Sequence, residues 1–100
     1  MEKNYRDKLF NKDVLESGLS INTINLLRMM GYSKVSDVFN EGPLSYEKLY
    51  DKVMSFSNLY CKICGSLEDL QHSYIELTQY LRHYGVKFIE ERHVQKTILK

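Results

Sequence analysis

Tryptophan is absent from this sequence, proline occurs once and glycine five times. So few chain breakers leave no room for a flexible linker or a low-complexity segment, and 100 residues make one domain with a modest core. Neither sign of charge is in excess. Fourteen basic against thirteen acidic residues give a net charge of +1, so composition by itself points to neither nucleic acid nor membrane. No run approaches the roughly 20 apolar residues of a membrane span, and the opening MEKNYRDKLF lacks an apolar signal region. The expected setting is cytoplasmic, away from any membrane.

Cysteine is scarce too, and its two copies form the C-x-x-C pair Cys61 and Cys64. Such a pair can be a redox dithiol or half of a zinc site. Zinc needs two further ligands. His72, His83, Glu68 and Asp69 lie near in sequence, but there is no second C-x-x-C and no H-x-x-x-H, and a thioredoxin-like site needs a strand context that is missing. The expectation is no metal, with Cys61 and Cys64 as the alternative, and otherwise reduced thiols packed as small apolar side chains. No cofactor, small-molecule substrate or catalysis is expected. His72, His83 and His93 have no nucleophile arranged with them, no glycine-rich phosphate loop exists, and no carboxylate pair sits in an apolar context.

What is present is organised around residues 19–39, LSINTINLLRMMGYSKVSDVF. Ser20 is placed to cap a helix in which Ile21, Ile24, Leu27 and Met30 recur at spacing three, with Leu26 widening the apolar face. Gly31 can take the left-handed conformation that ends it, after which Tyr32 turns back onto that face. A second short helix is expected from about Val35, near Ser33 and Lys34, with Val38 and Phe39 inward. Residues 81–86, LRHYGV, repeat Leu27, Arg28 and Gly31 in place, as a pseudo-repeat would.

Residues 1–17 form an N-terminal arm, with Tyr5, Leu9, Phe10, Val14 and Leu15 available for short packed turns and Gly18 ending it. Asn40 to Pro43 is the clearest break. Ser45 caps the next helix, and Tyr46, Leu49, Val53, Phe56, Tyr60, Ile63, Leu67, Leu70, Tyr74, Leu77, Leu81 and Tyr84 continue in a three-four pattern. One long helix fits this stripe. Gly65, the Ser66 cap with Asp69 three residues on, and the weak helix formers of residues 55–58 favour two helices broken at residues 64–66. Val86 to Ile89 can clamp back on the core of residues 18–89, and the tail, 90–100, has no settled element. Charge is uneven along the chain. Residues 82–100 hold five Lys or Arg against two Glu, while residues 36–69 hold three Lys against six acids, so the C-terminal end is the better polyanion contact.

Helix, glycine turn, short helix and a later helix ending in Gly-Val-x-Phe is the plan of helix-hairpin-helix domains. More narrowly, the stretch resembles the opening of the C-terminal domain of the bacterial RNA polymerase alpha subunit, L-S-x-R-x-x-N-x-L-K-x-x-x-I-x-x-[VI]-x-D-L. Leu19, Ser20, Asn25, Leu27, Arg28, Val35 and Asp37 fit without a gap, and the likeness resumes from Ser73 through Glu76, Leu81 and Gly85 to Phe88. The resemblance implies an all-α compact bundle of four to five helices with an enlarged middle segment, residues 41–70. Family members bind the minor groove of A·T-rich DNA and touch activators, through an Arg and an Asn on the first helix and a Gly-Lys-Lys-Ser hairpin. Here Asn25, Ser73 and Glu76 match, whereas Asn22 replaces the groove-reading Arg, Leu70 the hairpin glycine, and Gln71 and His72 the lysines. These departures remove most of the charge such contacts rely on.

Two functions are therefore expected. The first is a non-enzymatic, transcription-associated module that binds a protein partner, RNA polymerase or a regulator, or a second copy of itself. Its interface would draw on Tyr46, Tyr50, Tyr60, Tyr74, Tyr80 and Tyr84, rings that pack while their hydroxyls stay wet. The alternative is DNA binding through Asn22, Asn25, Arg28, His72, Ser73, Glu76 and Lys87, with Arg92 and Lys96 near them.

Overall fold

The structure is a computed structural model that describes residues 11–38, 40 and 44–89. The expectations for Tyr5, Leu9, Phe10, Phe39, Arg92, His93, Lys96 and the tail lie outside those residues. Among the described residues the chain is all α: α1 Ile21–Met29, α2 Tyr46–Met54, α3 Ser57–Ile63 and α4 Leu67–His83, with two 3-10 turns at Val14–Glu16 and Val35–Val38. Helix α4 is the spine, packing on α1 most extensively and also on α3 and α2. No helix among the described residues is long and apolar enough to cross a membrane.

Each of α1, α2 and α4 starts where a serine can cap it. Ser20, Ser45 and Ser66 all have extended backbone, and their hydroxyls accept from the N–H groups of Thr23, Lys48 and Asp69. At Ser66 the cap is reciprocal, because Asp69 also accepts from the Ser66 N–H at 3.0 Å. The two glycine ends are closed alike. Gly31 and Gly85 have φ of 91° and 94°; Gly31 N–H donates to the Arg28 carbonyl and Tyr32 N–H to that of Leu27, as Gly85 does to Arg82 and Val86 to Leu81. The short sequence echo is thus a repeated helix end, in which the same pair of backbone bonds satisfies the last carbonyls.

The core holds Leu26, Leu27, Val35, Val53, Tyr60, Leu70, Leu77 and Leu81, each with no exposed surface. Burial of a Val or Leu side chain contributes about 1.5–3 kcal/mol. Tyr32 and Val38 turn inward as expected, and Val14 anchors the arm. That arm is tied by backbone: Val14 N–H donates to the Ser33 carbonyl at 2.9 Å and Val35 N–H to that of Lys12 at 3.2 Å.

Three expectations are corrected. Ile21 is 66% exposed, since the inward face of α1 is centred on Thr23, Leu26, Leu27 and Met30 and Ile21 lies far round a helix of 3.6 residues per turn. The three-four stripe is broken twice, at Cys64 to Ser66 and also at Ser55 and Phe56, giving three helices in place of two. Each break resets the helical phase, which leaves Ile63 68% and Leu67 49% exposed while Leu49, Val53, Leu70 and Leu77 point inward. Those four fill this chain's own core. Finally, Cys64 packs against the core, but Cys61 is exposed.

Candidate interaction site

Helix α4 carries three of the residues expected at a DNA surface, and two of them have internal roles. Glu76 reaches the start of α1. One carboxylate oxygen accepts from the Ser20 hydroxyl at 2.7 Å and from the Thr23 hydroxyl, and the other accepts from the Ser20 N–H at 3.0 Å. Burial pushes this carboxyl up, but the bonds from Thr23 and Ser20 outweigh it and hold the group below its ordinary value. A carboxylate at a helix N-terminus is also favoured by the helix dipole. Ser73 is buried, beside Tyr60. Burial pushes the pKa of the Tyr60 hydroxyl up while the Ser73 hydroxyl works against the rise, and among the described residues the Tyr60 hydroxyl has no partner in hydrogen-bonding geometry.

The remaining DNA candidates stay accessible. Asn22 and Asn25 are half-buried, and Arg28, His72 and Lys87 are exposed. They do not converge on one cleft. Arg28 lines a hollow of about 300 Å3 with Asp13, Leu15 and Tyr32, whereas Lys87 lines one of about 470 Å3 with Arg82, Tyr46 and Phe88.

The tyrosines divide three ways. Tyr60 is a core residue with no exposed surface, so it is corrected from the interface set: its ring, carried by α3, fills the space between that helix and α4. Tyr46 and Tyr50, 39% and 38% exposed, lie one turn apart on α2. The Tyr46 ring stacks on Phe88 with centroids 4.1 Å apart, Tyr50 meets Tyr74 edge-on at 5.1 Å, and the Tyr74 hydroxyl donates to the Tyr46 carbonyl at 3.0 Å. Burial pushes the pKa of the Tyr74 hydroxyl up, as it does that of Tyr80. Tyr80 and Tyr84 form a separate edge-on pair at the end of α4, and Tyr80 is tied to the Ser17 carbonyl at 3.2 Å.

Two features escaped the sequence. The Ser20, Thr23 and Glu76 cluster joins residues more than fifty positions apart, although Ser20 is legible as a cap by itself. Arg82 is legible as part of the basic C-terminal end and Phe88 as part of an apolar clamp, but not their meeting beside Tyr46. Among the described residues no group of three or more His, Cys, Asp or Glu is placed to hold a metal ion. The arrangement defines an all-α bundle with a partly exposed aromatic face of Tyr46, Tyr50, Tyr74 and Phe88. Compared with protein-family models, curated proteins and solved structures, the chain matches none of them.

Proposed function

We propose that this chain is a small non-enzymatic interaction module, transcription-associated as its resemblance implies, whose partner is a protein: RNA polymerase, a regulator or a second copy. One observation supports the reading. Tyr46, Tyr50 and Tyr74, carried by α2 and α4, form with Phe88 from the segment after α4 a continuous, partly exposed aromatic face, the composition that protein interfaces favour. Placing p-benzoylphenylalanine at Tyr50 and irradiating the protein in its host extract tests it. A discrete protein adduct, identified by mass spectrometry and lost when the photoreactive residue is moved to Lys62, is the expected result; no adduct counts against the reading.

The alternative, DNA binding, keeps support from the accessible Asn22, Asn25, Arg28 and His72. An NMR titration with a short A·T-rich duplex at two salt concentrations decides between them. Shifts confined to those residues and weakening with salt favour DNA; the protein reading expects none.

A further inference from the structure

The cleft beside the end of α4 has a composition that packing does not require. Tyr46, the first residue of α2, and Phe88 form its apolar wall, their rings parallel within 4°. Gly85 and Val86 line it, and Arg82 and Lys87 supply two cations. Both are exposed, and no carboxylate among the described residues pairs with either. The cleft is held open by backbone. Gly85 at φ 94° turns the chain out of the helix, Val86 N–H donates to the Leu81 carbonyl, and Ile89 N–H donates to the Leu44 carbonyl at 2.8 Å. A preformed cleft spares a ligand the cost of ordering it.

We propose that this cleft binds an acidic peptide segment of the protein partner, one apolar side chain lying on Val86 and the Tyr46–Phe88 pair while an adjacent Asp or Glu is bonded by Arg82 and Lys87. The proposal rests on the reading of the chain as a protein-interaction module and locates that interaction. Charge decides for a peptide over a nucleic-acid strand. Two cations suit one or two carboxylates, whereas a phosphate track needs a run of them. A guanidinium matches a carboxylate with two parallel hydrogen bonds, which gives the contact direction as well as charge.

The test pans a phage library of random dodecapeptides on the full chain, then titrates the most enriched peptide, labelled with fluorescein, by anisotropy. It compares the wild type with the double variant Arg82→Gln, Lys87→Gln and with Lys48→Gln as a charge control. Both substituted positions of the double variant are exposed, and an unchanged melting temperature checks its fold. The expected result is enrichment of Asp or Glu beside an apolar residue, binding weakened about tenfold or more in the double variant and unchanged in the control, and NMR shifts at residues 82–88. Peptides that bind the double variant as well as the wild type overturn the cleft while leaving the interaction-module reading standing. No enriched peptide overturns the proposal, and tight binding of fluorescein-labelled oligo(dT) in its place overturns the reading as well.

Discussion

Glu76 is a single carboxylate joining the start of α1 to the middle of α4, and its titration reflects that place. It binds a proton less readily in the folded state than in the unfolded one, so it contributes stability fully above its unfolded value and loses it as pH falls through the folded one. Asp69 and Asp37 act in the same direction: backbone N–H bonds from Ser66 to the first, and from Lys34 and Ser33 to the second, hold them below the ordinary aspartate value. The melting temperature should therefore fall as pH is lowered below about 4. Glu76→Gln should be less stable than wild type at neutral pH and show a shallower acid decline; parallel pH curves for the two proteins would refute the assignment. Gly31 is a second case in which one residue decides. An added Cβ would meet nothing within 4 Å, so the only penalty is the φ of 91°. Gly31→Val should cost about 1 kcal/mol or more in a denaturant melt, and no change would mean that the turn relaxes freely.

At the scale of elements, the break between α3 and α4 is the joint that sets the phase of the bundle. Its geometry depends on a close approach: a Cβ at Gly65 would lie 2.6 Å from Asp69 Oδ2, the atom that accepts from the Ser66 N–H. Gly65→Ala should displace that carboxylate and lower the melting temperature by weakening the reciprocal cap. Asp69→Ala should lower it as well, and the double variant by less than the sum of the two, because both remove the same bond. Additive losses would show that Gly65 acts through something other than the cap. Capping and glycine ends were readable because they depend on neighbours within four residues: Ser20, Gly31, Ser45 and Ser66 were all placed by local chemistry. The second break was harder to place. Ser55 and Phe56 are poor helix formers without being breakers, so their turn emerges only when α2 and α3 each have a core to face.

For the whole molecule, α4 is the shared wall against which α1, α2 and α3 all pack, so the chain should unfold as one cooperative unit. Leu77→Ala removes a side chain with no exposed surface from that wall and should cost about 2–5 kcal/mol. The expected readout is a melting temperature lower by about 10 °C or more, with far-UV and near-UV signals shifting together; separate transitions would mean that the unit around α1 folds independently. The sequence by itself determined the all-α class, the serine starts and glycine ends of the helices and most of the buried side chains, because hydrophobic period and backbone chemistry are local properties. Only the tertiary structure decided which side of each helix faces solvent after a break and where Glu76 reaches. It alone sent Tyr60 into the core while Tyr46 met Phe88 beside Arg82 and Lys87. Those outcomes depend on how separate helices rotate about their joints, and that rotation is set by packing between residues far apart in the chain.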